Sequence, residues 1–192
     1  NYIFRGGFDY LYDKVGLYDT LRSVVCGTQS AMAVTQCWQN LEGIQDHMLN
    51  FLENHDEQRI ASDFHAGDPW RALPALVVAA TMNRSPFMVY FGQETGEPGM
   101  DEEGFSGRDG RTTIFDYWQV DTVQRWINKG KFDGGMLSDG QRKLRTKYQQ
   151  VLSLVLSENA LKEGDFYDLQ YANLNREGYN PQRSICPPIR KY

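Results

Sequence analysis

The stretch FLENHDEQR, residues 51–59, decides how the rest of the chain is read. An apolar run ends here in Asn54, His55 and Asp56, with Glu53 and Glu57 close by. The aromatic and long apolar residues Met48, Leu49, Phe51 and Leu52 suit a short strand over residues 48–53. A carboxylate at a strand end can act as nucleophile, base, metal ligand or acceptor for sugar hydroxyls. Beside a histidine it can clasp a vicinal diol, the carboxylate accepting and the imidazole donating. On spacing alone, a loop cap or an ion pair is the plainer reading of one His-Asp pair.

Working outward, GFDYLY at residues 7–12 is an aromatic-rich strand candidate. Leu17, Leu21, Val24 and Val25 recur at helical spacing over residues 17–25. The small residues 27–33 either extend that helix or break it. Downstream, Asp68 can cap a helix and Pro69 suits its first position. RALPALVVAATM, residues 71–82, is apolar nearly all round, as expected of a helix covered on several sides. Pro74 should kink it or delay its regular start. PFMVY, residues 86–90, reads as a fully apolar strand of the kind found in covered parallel sheets. Residues 92–126 read as a long polar loop rich in glycine, carboxylates and aromatics, a length that usually marks a functional or a disordered segment. Ser138 and Gln141 fit a capping box. Leu144, Tyr148, Val151, Leu152 and Val155 then share one helical face. After Gly164, DFYDLQYANLN reads as two short strand-like pieces opening a β module. The tail RSICPPIRKY departs from a strand pattern, because Pro187 and Pro188 would interrupt one.

This order of strand, helix, strand, helix, strand predicts a parallel α/β sheet. Chemistry in such sheets gathers at the carboxyl ends of strands. Asn54-His55-Asp56 and Gln93-Glu94 both fall there.

Bulk properties narrow the classes. The chain has 192 residues, 41% hydrophobic and 13% aromatic, which places it among globular proteins. Its net charge of −5 and lack of a basic stripe argue against nucleic acid as the main partner. No apolar run is long enough for a membrane-spanning helix. The opening NYIFRGGFDY has no start methionine and no leader pattern, and reads like the middle of something. Cys26, Cys37 and Cys186 have no metal spacing and read as buried or partly buried free thiols.

Several segments, taken together and in order, resemble one family. FLENHDEQR resembles the Phe-x-x-Asn-His-Asp motif of the α-amylase family, glycoside hydrolase family 13. FMVYFGQETG resembles the strand after it with its Gly-Gln-Glu ending, and GGFDYLYDK the strand before it. GRDGRTTIFDYW resembles the loop that closes the sugar site. LSLVLSENALKEGDFYDL resembles the last barrel helix running into a C-terminal β domain. The resemblance implies strands six to eight of a (β/α)8 TIM barrel in residues 1–163, and the start of an antiparallel β domain in residues 164–192.

It further implies retaining hydrolysis of α-1,4-glucans such as starch, glycogen or maltooligosaccharides. In that mechanism a carboxylate nucleophile and an acid/base flank the bond about 5–5.5 Å apart. Carried over residue by residue, Asp56 is the third carboxylate, which holds the sugar hydroxyls and stabilises the transition state. His55 is the neighbouring donor. Asp109 and Arg111 match the loop that lines the subsites, with Arg108 the substitute if the register slips. Asn54 shapes the turn, and Gln93 and Glu94 match the motif after the last strand, where they supply supporting hydrogen bonds in preference to direct sugar contact. Phe115, Tyr117, Trp118 and Trp126 could stack on sugar rings, Tyr117 and Trp118 foremost. The acid run Asp101-Glu102-Glu103 reads as a solvated loop. No cofactor is evident in the chain, and no metal ligands are assigned, although the resemblance allows calcium in the complete enzyme. It also favours a secreted or periplasmic location.

The family's nucleophile and acid/base belong to the fourth and fifth strands, whose motifs have no match in this sequence. The chain by itself is therefore expected to be inactive. Three strands cannot close a barrel, and their open edges would invite self-association. A non-catalytic carbohydrate-binding fragment, or a transglycosylase or α-glucosidase of the same family, are the alternatives.

Overall fold

The structure is a computed structural model that describes residues 2–41, 43–102, 104, 106–115, 120–181 and 189–191. The chain divides into two compact units. One comprises Asn1–Leu52, Pro74–Met88 and Val151–Tyr192, the other Glu53–Leu73 and Val89–Gln150.

The first unit holds a three-stranded parallel sheet of β1 (Leu11–Tyr12), β2 (Met48–Phe51) and β3 (Phe87–Met88), in that spatial order. Leu11 pairs with Met48 and Asn50 with Phe87. The three expected strands are thus present, parallel and in sequence order, but shorter than the sequence suggests. At β1 the backbone before Leu11 is taken up by turns, with Gly7 at φ +71°. Among the described residues, β1 and β3 each pair along one edge only.

Between β1 and β2 the chain makes a π-helical turn, Lys14–Tyr18, that continues as α1 (Asp19–Val25). Gly27, at φ +75°, then stops the helix. A second helix, α2 (Met32–Asn40), follows, so the small-residue stretch breaks the helix rather than extending it. Phe51 stacks on Tyr18 with ring centroids 5.0 Å apart and meets the edge of Tyr12 at 5.3 Å. Helix α3 (Leu73–Thr81) buries Ala75, Leu76, Val78 and Ala79. Pro74 sits in its first turn, where a missing N–H costs nothing. The buried Asn50 amide of β2 donates to the Ala79 carbonyl of α3 at 3.0 Å. Asn83 and Ser85, just before β3, donate to the Met48 carbonyl at 3.1 and 2.7 Å. Polar ties of this kind fix sheet against helix where apolar packing alone would allow sliding.

Two sequence expectations are corrected beyond Gly164. β4 (Asp165–Tyr167) pairs antiparallel, but with β5 (Ile189–Lys191) in the tail. The second strand-like piece is instead a helical turn, α7 (Gln170–Asn173), preceded by the short α6 (Asn159–Glu163). The Asp168 carboxylate accepts from the Gln170 amide at 2.7 Å and so favours a helical turn there.

In the second unit Asp68 accepts from the Trp70 amide at 2.9 Å and starts a 3-10 turn, Pro69–Ala72. The expected long loop 92–126 is not featureless. It contains a 3-10 turn, Gln93–Thr95, and its end forms α4 (Asp121–Ile127). Buried Thr122 donates to Glu97 at 2.6 Å, and Asp121 pairs with Arg125 one turn on. The long helix α5 (Asp139–Ser157) has the capping box read from sequence: the Ser138 amide donates to Gln141 at 2.9 Å, and the Gln141 amide to Ser138 at 3.3 Å. Leu144 and Tyr148 are its buried residues.

Candidate functional site

The chain enters the second unit at the carboxyl end of β2, at Glu53, and again at that of β3, at Val89. At the first entry the Asn54 side-chain oxygen accepts from the amides of Asp56 and Glu57, each at 2.9 Å. This Asx-type turn satisfies the loop backbone and leaves the next side chains unburied. His55 and Asp56 approach to 3.4 Å, with side chains 41% and 66% exposed. Both side chains are open to solvent.

Asp109 and Arg111 form a tight local clasp. Asp109 accepts from the Arg111 amide at 3.0 Å and from its guanidinium at 2.6 and 3.0 Å. It also accepts from the Ser106 amide at 3.1 Å. Burial pushes the Asp109 carboxyl up, but these hydrogen bonds outweigh it and hold the group below the usual carboxylate range. The hydrogen bond to Asp109 raises the pKa of Arg111, and the charges of Asp56 and Glu57 act on it in the same direction. Three carboxylates, Asp109, Asp56 and Glu57, therefore act electrostatically on the one Arg111 cation.

Beneath these loops lies a buried network that the sequence did not single out. Arg59, fully buried, donates to Glu53 at 2.8 Å and to Thr112 at 3.0 Å. Its guanidinium carbon stands 4.4 Å from the Tyr90 ring centre and 5.1 Å from that of Phe91. Glu53 also accepts from the Ile60 amide at 2.8 Å. Burial pushes its carboxyl up, and Arg59 opposes the shift. Buried Glu97 bonds Thr122 and the Gly99 amide. The sequence signal for this network is slight: a Glu and an Arg that flank a polar loop. Charged residues are most often exposed, so nothing in the pattern marks these two as buried.

Gln93 has the supporting role expected of it. It is buried, accepts from the Tyr90 amide at 3.1 Å and donates to the Tyr148 hydroxyl at 3.1 Å. Glu94 is half-buried. Trp126 packs edge-on to Phe132 at 5.9 Å, with Arg145 5.5 Å from its ring centre, while Phe115 is exposed. Tyr117 and Trp118 lie outside the described residues. Among the described residues, no cluster of three or more His, Cys, Asp or Glu side chains could hold a metal ion. None of the described helices is long and apolar enough to cross a membrane.

No protein-family model matches the sequence, and no curated protein does. Solved structures do. One is AmyP in complex with maltose, 19% identical with a TM-score of 0.56, over 84% of this chain and 35% of that one. Another is the ligand-free cyclic α-maltosyl-(1→6)-maltose hydrolase of Arthrobacter globiformis, 19% identical with a TM-score of 0.51, over 78% of this chain and 30% of that one. The chain thus spans about a third of each structure and shares its α/β fold over that span.

Proposed function

We propose that this chain is part of an α-amylase-type glycoside hydrolase that acts on α-1,4-glucans with retention. Residues 1–163 would supply barrel strands six to eight and residues 164–192 the start of the β domain. The observation that carries the reading is the open His55–Asp56 pair at the carboxyl end of β2, with Arg111 held in its field. The motif resemblance points the same way, as does the fold shared with a cyclic maltosyl-maltose hydrolase and with AmyP, solved in complex with maltose.

In this reading Asp56 accepts from two ring hydroxyls and His55 donates to one. Those bonds strengthen as the ring flattens toward the oxocarbenium-like transition state, which lowers the barrier. Arg111, held by Asp109, supplies a fixed positive charge in the second loop. The nucleophile and acid/base would come from the preceding strands of the complete protein. Tyr117 and Trp118 would stack on flanking rings. A calcium ion in the complete enzyme finds no ligand cluster among the described residues, so no step is assigned to one.

The test is hydrolysis of maltoheptaose followed by proton NMR. The complete protein should release products first as the α-anomer, and the 192-residue chain alone should release none. Initial β-anomer, or normal turnover by the isolated chain, contradicts the reading.

A further inference from the structure

We infer that Arg59 is a positioning residue that sets the His55–Asp56 loop against the Asp109–Arg111 loop. The inference rests on the function proposed above.

Arg59 is tied to both loops at once. Its guanidinium Nη1 donates to Glu53, the residue at the base of the first loop. Its Nε donates to Thr112, and its own amide donates to the Gly110 carbonyl at 2.6 Å, both in the second loop. The pair Glu53–Arg59 therefore closes the segment that carries His55 and Asp56, and the same side chain fastens the segment that carries Asp109 and Arg111. A planar guanidinium with diverging donors can do this, whereas an ammonium cannot span the two acceptors in fixed geometry.

Packing makes the strut stiff. Arg59 is fully buried and lies on the Tyr90 and Phe91 rings. Gly99 comes so close that an added Cβ would stand 2.9 Å from Arg59 Cγ and 2.8 Å from the Gly110 carbonyl oxygen. Interiors this close-packed transmit displacement instead of absorbing it. A buried pair also costs desolvation that an apolar pair would avoid. Arg59 touches neither His55 nor Asp56 in any bond described here, so its effect on substrate would pass through the loops.

The decisive variant, made in the complete protein, is Glu53→Gln/Arg59→Met. It removes both charges of the pair together and keeps an acceptor for the Ile60 amide. Asp56→Asn is assayed beside it. The inference expects near-normal thermal stability, kcat/KM lower by on the order of 100-fold with most of the loss in kcat, and faster amide exchange at residues 54–57 and 109–111. A folded double variant with wild-type kcat/KM, beside an inactive Asp56→Asn, overturns the inference and leaves the proposed function standing. An active Asp56→Asn instead removes the proposed function, and this inference with it. If the double variant fails to fold, Thr112→Val deletes one strut bond alone; a fall of about tenfold in kcat supports the inference, and no fall overturns it.

Discussion

Trp38 of α2 donates its indole N–H to Asp168 at 2.8 Å, across 130 residues of sequence. The same carboxylate oxygen accepts from the buried Thr35 hydroxyl at 2.6 Å, and the other oxygen from the Gln170 amide. One side chain thus fastens the segment after β4 to the helix that precedes β2. Asp168→Ala would leave three donors without their acceptor. A loss of at least about 2 kcal/mol is expected in urea unfolding, since each buried orphan costs roughly 1–3 kcal/mol. A loss below about 0.5 kcal/mol, the size of an ordinary surface change, contradicts this account.

Arg59→Ala, made alone, should cost about 3–5 kcal/mol, because it strands the Glu53 carboxylate without its partner. The sign of its pH dependence is fixed by the upward shift of Glu53. A carboxyl raised on folding adds stability below its unfolded pKa of about 4.3 and loses it as pH rises through the folded value. Without Arg59 that shift grows. The variant should therefore be more stable in mild acid than at neutral pH, measured as the unfolding midpoint against pH. A midpoint that rises from acid to neutral would show that Glu53 does not titrate in this way.

The clasp between Asp109 and Arg111 has the opposite dependence. Asp109 is held below the usual range, so its contribution is present above an unfolded pKa of about 3.9 and is lost as pH falls through the folded value. The Arg111 Nε–H resonance should keep its hydrogen-bonded shift down to about pH 4 and lose it only below. Loss of that shift near neutral pH would contradict the clasp.

Cysteine reactivity should divide between α1 and α2. Burial pushes the Cys37 thiol up to about 12, with the Asp13 charge adding to the shift. Cys26, at the end of α1, is half-buried. Iodoacetamide should label Cys26 and spare Cys37, since only the thiolate reacts. Equal labelling of folded protein, read by peptide mass spectrometry, would show that Cys37 is not enclosed.

The parallel sheet and the His55–Asp56 turn were legible because their signals are local. An apolar run that stops at Asn-His-Asp marks a strand end, and Ser138 with Gln141 marks a helix start. Asp121–Ile127 reads as loop because it has few apolar positions, and its hold on Glu97 through Thr122 is tertiary. Gln170–Asn173 reads as strand because its aromatic and small residues suit either state, and the Asp168 cap decides. The Arg59 strut was invisible for a different reason. Its meaning depends on burial, and burial of a charge leaves no periodic trace in sequence.

The most direct measurement is the turnover of maltoheptaose by Asp56→Asn in the complete protein, with thermal stability measured alongside. Asp56 is largely exposed, so the substitution should barely change stability. A fall of about 1,000-fold in kcat is expected, the worth of several kcal/mol of hydroxyl contacts made at the transition state. Turnover near that of the wild type would contradict it.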